Sequence, residues 1–187
     1  APGIASTYAI HKPQRPRVKH PPVAVHPLLD ADVDRVIALV LRSFDAAIAP
    51  DYDPAGVDAF HQFAAPSALR VRIADGAIVR IAIVEHQIVG VIEFPASAPN
   101  RPAHISMLFV DPAAQRKTVG RTLLFHAIDA CQQHGPASER MTVKSFPIAV
   151  PFYEKHFFQA TGEPTNENGI IATPMDIALG QVAVWLN

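Results

Sequence analysis

The chain changes from strand to helix periodicity between residues 105 and 131, and this change limits the fold more than any other feature. Residues 105–110 (ISMLFV) predict a strand that ends at Asp111 and Pro112. Apolar residues then recur at helical spacing and form one stripe, which contains Val119, Leu123, Leu124, Ala127, Ile128 and Cys131. A strand joined by a loop to an amphipathic helix indicates an α/β domain.

The segments on either side support the same fold class. Apolar residues at helical spacing predict two helices early in the chain, one with Val33, Ile37, Val40, Leu41 and Phe44, the other with Val57, Phe60 and Phe63 before Pro66. Residues 149–156 predict a short third helix. Further strands are predicted at residues 23–25, 78–85, 88–94, 141–144, 158–161 and 170–176. The result is an α/β fold with a mixed central sheet of about six or seven strands, flanked by helices.

Composition favours a folded domain and excludes some functions. The 187 residues fit one compact core, with 49% hydrophobic and 18% charged residues. A formal net charge of -1 speaks against a protein that coats nucleic acid or an anionic membrane.

The sequence gives no support for an internal disulfide, a metal site or a membrane-spanning segment. Cys131 is the single cysteine, so no internal disulfide can form, and the nine histidines are too dispersed for a metal site. No apolar run reaches the roughly 20 residues that span a bilayer, and the first residues lack the pattern of a signal peptide. A cytoplasmic location is therefore expected.

Residues 1–22 are rich in proline and carry Lys12, Arg15, Arg17 and Lys19. Without a helix or strand period, they predict a basic N-terminal extension ahead of a domain at residues 23–187. An arm that lies on the domain is favoured over one that contacts nucleic acid, because the prolines interrupt the charges.

The loop before the predicted long helix has the features of an anion site. It contains Gln115, Arg116, Lys117 and Gly120, and Arg121 follows. The first turn of a helix has free N–H groups and the positive end of the helix dipole, and glycine allows close approach of an anion. The same pattern also fits plain packing with a solvated positive end.

Two segments resemble motifs of the GNAT superfamily of N-acetyltransferases. The loop is similar to the family's pyrophosphate motif, Gln/Arg-x-x-Gly-x-Gly/Ala, where Gln115 and Gly120 match and Thr118 replaces the first glycine. Residues 146–158 (FPIAVPFYEKHFF) resemble the family's Ala-Val-x-Phe-Tyr-Glu-Lys-x-Gly-Phe segment, with Phe157 in place of its glycine. The resemblance covers residues 23–176.

The resemblance implies the GNAT fold and transfer of an acetyl group from acetyl-CoA to a primary amine by direct attack. In this family the pantetheine arm lies where two parallel strands separate, which implicates the backbone of Leu108, Phe109 and Val110. The diphosphate would meet the loop and helix start, formed by Gln115, Arg116, Lys117, Thr118, Val119, Gly120 and Arg121.

Tyr153 falls at the family's general-acid position. A phenol with an ordinary pKa of about 10 is protonated at neutral pH and can donate to the departing sulfur. A plain aromatic core residue beside Phe152 is the alternative.

His104 is the first candidate for the general base, because it opens the strand where related sequences often have a glutamate. An imidazole with a pKa of about 6.5 suits that role. A surface histidine is equally consistent with the sequence. Glu93 is the rival, as a base or as an anchor for a cationic substrate, or else as part of a solvated strand face.

The junction of the first two predicted helices contains Phe44, Asp45, Asp51 and Tyr52. In this family, that junction forms one wall of the acceptor pocket. Acidic and aromatic groups suit a cationic amine, although a solvated loop fits each residue as well.

Three functions stay open at this point. Acetylation of a small-molecule or peptide amine is favoured, without nucleic acid or membrane partners and with a possible homodimer. A catalytically silent acyl-CoA-binding regulatory module is the alternative, because Thr118 and Phe157 replace family glycines. A protein acetyltransferase that docks through its basic arm is the third.

Overall fold

The computed structural model describes residues 21–96, 101–115, 117–133 and 138–182. Most of the predicted extension, residues 1–20, lies outside this part. The strands are β1 (Ala24–Pro27), β2 (Ala77–Val84), β3 (Gln87–Pro95), β4 (Ala103–Ile105), β5 (Met107–Val110), β6 (Arg140–Ser145), β7 (Gln159–Ala160), β8 (Thr165–Glu167) and β9 (Ile170–Ala178). The α-helices are α1 (Val33–Ala47), α2 (Pro54–Phe63), α3 (Pro66–Ala74), α4 (Val119–Gln133), α5 (Val150–Lys155) and α6 (Leu179–Val182).

The first helical region contains one helix more than the sequence predicts. The predicted second helix, α2, ends at Phe63, but Pro66 then begins α3 instead of ending helical structure. Proline fits the first position of a helix because the N–H that it lacks would have no partner there.

The strands form two sheets that meet at the break between β4 and β5. One sheet has the order β1-β2-β3-β5 and is antiparallel throughout. The other has the order β4-β6-β9-β7, in which β4 and β6 are parallel, and β8 pairs with β9. The predicted single strand at residues 105–110 is thus divided at Ser106, and each half belongs to a different sheet.

Helices cover both faces of the sheets, and the core lies in two layers. Successive residues of β3 alternate between the layers, as the strand period requires. Val91 packs in the cluster with α1 and α2, whereas Ile92 packs in the cluster with α4. The predicted α/β class, a mixed sheet arrangement flanked by helices, is confirmed.

Candidate active site

The parallel strands β4 and β6 separate after a short stretch of pairing. Their register runs from Ala103 opposite Met141 to Ile105 opposite Val143. Beyond Ser106 the chain pairs with β3 instead, while β6 continues against β9. The Ser106 N–H donates to the Glu93 carbonyl at 2.9 Å, which fixes this change of partner. A gap therefore opens between β5 and the end of β6.

A cavity of about 410 Å³ occupies this gap. Its walls come from the two separating strands, from α2 and α5, and from the hairpin of β8 and β9. The lining residues are Ala59, Phe60, Phe63, His104, Ile105, Ser106, Met107, Leu108, Phe109, Val143, Lys144, Ser145, Phe146, Ala149, Tyr153, Thr165, Glu167, Asn168, Ile170 and Ala172.

Tyr153 is a buried residue of α5 that lines the cavity, with 5% of its surface exposed. Its ring makes edge contacts with Phe152 and Phe158. Burial raises the pKa of the Tyr153 phenol above its ordinary value, so the hydroxyl keeps its proton at neutral pH. Among the described residues, no group accepts a hydrogen bond from this hydroxyl.

His104 also lines the cavity, from the middle of β4. Its Nδ1 lies 2.9 Å from the hydroxyl of Thr142, its register partner on β6. Burial lowers the pKa of the His104 imidazole, and the positive charge of Lys144 lowers it further. The imidazole is therefore neutral at pH 7 and able to accept a proton.

Glu93 is not placed as the sequence suggests. Its side chain is 1% exposed, and its two oxygens accept hydrogen bonds from Arg72, from Nε at 2.6 Å and from Nη2 at 3.0 Å. Arg72 also donates to the Phe63 carbonyl at 2.7 Å. Glu93 is absent from the cavity lining, and the alternative of a solvated strand face is wrong because the side chain is buried. In this structure the Glu93 carboxylate is engaged by Arg72.

The predicted acceptor residues lie outside the cavity. Phe44 is 0% exposed, and its ring stacks on Phe60 at 3.8 Å between centroids, so Phe44 supports the wall from behind. Asp45 contacts His61, with 2.8 Å between Oδ1 and Nε2. Neither Phe44 nor Asp45 is among the residues that line the larger cavity.

Tyr52 and Asp51 line a smaller cavity of about 70 Å³ instead. The Tyr52 hydroxyl donates to the Ile171 carbonyl at 2.7 Å. Phe146 lines both cavities, and its ring makes an edge contact with Tyr52 at 6.1 Å between centroids. Sequence reasoning did not identify α2 and the hairpin of β8 and β9 as walls of the larger cavity.

The predicted anion-binding loop joins β5 to α4. Asp111 accepts a hydrogen bond from Arg42 and another from the Ala113 N–H at 2.9 Å, and these bonds, the one from Arg42 most, lower the pKa of its carboxyl group. Lys117 and Arg121 are exposed, whereas the Val119 side chain is buried in the core, so only its backbone can face a ligand. Arg116 lies outside the described residues.

Both residues that replace family glycines have the backbone conformation that glycine favours. Thr118 has φ of 67° and Phe157 has φ of 68°, in the left-handed region. Gly120 packs closely against Phe152. A Cβ added at Gly120 would lie 3.3 Å from the Phe152 ring. The loop thus keeps a glycine-type shape at Thr118 and packs closely on α5.

In the described part of the chain, neither a membrane-spanning helix nor a metal-binding cluster is present. Every helix there is too short or too polar to cross a membrane. No group of three or more His, Cys, Asp or Glu side chains in the same ranges could hold a metal ion.

Comparison with protein families identifies the class of protein to which this chain belongs. The model of the acetyltransferase (GNAT) domain matches residues 48–179, well over half of the chain. The chain therefore belongs to the GNAT acetyltransferase family, and the resemblance seen in the sequence is confirmed. Acetyl-CoA is the acetyl donor of this family, in agreement with the expected co-substrate. A search of curated protein sequences found no significant match.

Solved structures share the fold at low sequence identity. The PaiA N-acetyltransferase from Thermoplasma acidophilum, solved in complex with coenzyme A, is 18% identical with a TM-score of 0.71; the match covers 84% of this chain and 99% of that one. A GCN5-related N-acetyltransferase from Rhodopseudomonas palustris is 23% identical with a TM-score of 0.70, covering 86% and 96%. The ribosomal-protein-S18-alanine N-acetyltransferase from Escherichia coli is 16% identical with a TM-score of 0.62, covering 84% and 94%.

Proposed function

We propose that this protein transfers the acetyl group of acetyl-CoA to a primary amine by direct attack. The observation that carries the proposal is a single cavity that contains both a protonated phenol, Tyr153, and a neutral imidazole, His104. The family supplies the reaction class, and these two side chains supply the proton transfers that the reaction needs.

The residues around the gap fit acetyl-CoA. Beyond Ser106, β5 is an edge strand on its gap side, so backbone N–H and C=O groups are available to the pantetheine arm. Leu108 and Phe109 line the cavity along this edge. At the other end, the first turn of α4 offers free N–H groups to a diphosphate, and Lys117 and Arg121 can add positive charge.

Bound in this gap, acetyl-CoA would supply a thioester carbonyl, and its thiolate would be the leaving group. His104 would accept the proton that the amine loses, because its imidazole is neutral at pH 7. Tyr153 would hold a proton at Oη and give it to the sulfur. Neither step requires the carboxylate of Glu93, which remains bound to Arg72.

The test is Tyr153→Phe, which removes only the hydroxyl. We expect turnover at saturating acetyl-CoA to fall by about 100-fold or more, the usual contribution of a general acid. Tyr52→Phe is the matched control, because the Tyr52 hydroxyl bonds to the Ile171 carbonyl outside the main cavity. Full turnover in Tyr153→Phe would remove the proposed acid.

The main argument for the alternative function, a catalytically silent acyl-CoA-binding module, is weakened by the backbone of two residues. Thr118 and Phe157 were its basis, yet both adopt the left-handed backbone conformation that glycine favours. The shape of the loop, and of the turn after α5, is therefore consistent with a working site.

A further inference from the structure

The proposed base, His104, is held by a side chain that does not itself line the cavity. We infer that Thr142 positions the His104 imidazole by accepting a hydrogen bond from Nδ1–H, so that Nε2 takes the proton of the attacking amine. This inference rests on the proposed acetyltransferase function and adds a positioning residue to it.

The two residues lie side by side on neighbouring strands. His104 of β4 is in register with Thr142 of β6, and the His104 Nδ1 lies 2.9 Å from the Thr142 hydroxyl. Register partners carry their side chains on the same face of a sheet. Because His104 lines the cavity and Thr142 does not, Thr142 can act on the reaction only through the ring.

The two ring nitrogens of His104 differ in their surroundings. Nδ1 is engaged by Thr142, whereas Nε2 has no hydrogen-bond partner among the described residues. Nε2 is also open to its surroundings, not sealed in the core. It is therefore the ring nitrogen that can meet an amine in the cavity.

The hydrogen bond at Nδ1 determines which proton the ring can take. Nε2 can accept a proton only if the neutral ring carries its hydrogen on Nδ1, and that hydrogen needs an acceptor. The hydroxyl oxygen of Thr142 is such an acceptor. Because Nδ1 still donates when the ring is protonated, the same bond holds the ring before and after the proton moves.

Threonine suits this role because it is uncharged and stiff. A carboxylate at Nδ1 would stabilise the imidazolium and raise the pKa of His104, so the ring would already be protonated when the amine arrived. The branched Cβ of threonine restricts χ1, which limits the directions that the hydroxyl can take. Backbone pairing already joins β4 to β6, so the hydroxyl is not needed to hold the strands together.

The groups around the ring define the background against which His104 titrates. The charged or titratable side chains that share its cavity are Lys144 on β6, Glu167 on β8 and Tyr153 on α5. On β9, Asp176 is the register partner of Thr142, and its carboxylate pairs with Arg140. Within the described ranges, Thr142 is the one hydrogen-bond partner of the His104 ring, so replacing its hydroxyl changes that bond alone.

The first experiment is ¹⁵N–¹H NMR of the histidine rings in the full chain, with His104→Gln to assign the His104 signals. In the wild type, the neutral His104 ring should be the Nδ1–H tautomer. Thr142→Val keeps the shape of the side chain but accepts no hydrogen bond, so this preference should be lost. The pKa of His104 should also fall, because the imidazolium loses a charge-assisted bond. Thr142→Ser should restore both properties.

Turnover at saturating acetyl-CoA is the second readout, followed as CoA release with benzylamine or putrescine, whichever the wild type acetylates faster. Thr142→Val should lower kcat by about five- to tenfold, the rate equivalent of one hydrogen bond, and leave acetyl-CoA affinity unchanged. The acidic limb of the kcat/KM profile should move to lower pH. Thr161→Val is the matched control, because its hydroxyl donates to the Pro174 carbonyl at 3.3 Å, away from the cavity lining.

The outcomes separate this inference from the proposed function. An Nε2–H tautomer in the wild type, or an unchanged tautomer and pKa in Thr142→Val, would overturn the inference whether or not either amine reacts. Full kcat in Thr142→Val, beside slow turnover in His104→Gln, would also overturn it and leave the acetyltransferase intact. Full turnover in His104→Gln would instead remove the proposed base, and the role of Thr142 with it.

Discussion

Arg72→Met tests whether the pair of Arg72 and Glu93 is a structural support of the cavity wall formed by α2. The substitution keeps a long side chain on α3 but leaves the Glu93 carboxylate, 1% exposed, without its two charge-assisted hydrogen bonds. Removing one partner of a buried pair costs about 3–5 kcal/mol. Because the Arg72 side chain is 23% exposed, we expect the lower end of this range, about 3 kcal/mol.

The assay is urea unfolding, supported by thermal melts. For a chain of this size, a loss of about 3 kcal/mol lowers Tm by about 6–12 °C. Arg70→Met is the matched control on the same helix, because Arg70 pairs with Asp30 at the surface, where the side chains are 40% and 81% exposed. It should leave the midpoint of urea unfolding close to that of the wild type.

A double variant distinguishes loss of the pair from loss of Arg72 packing. Arg72→Met combined with Glu93→Leu removes the isolated charge, so most of the lost stability should return. The reasoning is refuted if Arg72→Met behaves like Arg70→Met. It is also refuted if the double variant is less stable than Arg72→Met alone.

Two further predictions concern the loop and the base. Thr118→Gly should stabilise the protein by about 0.5–1 kcal/mol in urea unfolding, because the relief of left-handed backbone strain exceeds the cost of the added flexibility of glycine. Thr118→Ala keeps a Cβ and should therefore gain less stability. Equal gains in the two variants would contradict the strain argument. Lys144→Gln removes a charge that lowers the pKa of His104, so that pKa rises and the imidazole stays protonated to higher pH. The acidic limb of the pH profile of kcat/KM should therefore move to higher pH in Lys144→Gln. The control is Lys155→Gln, an exposed substitution on α5, which should leave the limb in place. An unmoved limb in Lys144→Gln would argue against His104 as the base.

Periodic and motif signals predicted much of the fold. The stripe of α4, the hairpin of β2 and β3, and the segment around Tyr153 could be assigned because each depends on residues close in sequence. The positive φ of Thr118 and Phe157 was not predicted, because a side chain in place of a family glycine was taken as a departure from the motif.

Features set by distant partners could not be predicted. The burial of Glu93 depends on Arg72, which precedes it by 21 residues on another element. Phe44 belongs to the apolar stripe of α1, and only the packing of α2 against that helix shows that Phe60 stands between Phe44 and the cavity. β8 is exposed and polar throughout, so Thr165, Asn166 and Glu167 carry no strand pattern.

Calorimetric titration with acetyl-CoA tests the central claim most directly, using the wild-type protein and Leu108→Trp. Leu108 lines the gap between the separated strands, and an indole there would fill the space proposed for the pantetheine arm. We predict saturable binding at a single site in the wild type and loss of binding in a Leu108→Trp variant with unchanged circular dichroism. No binding by the wild type, or equal binding by both proteins, would contradict the account.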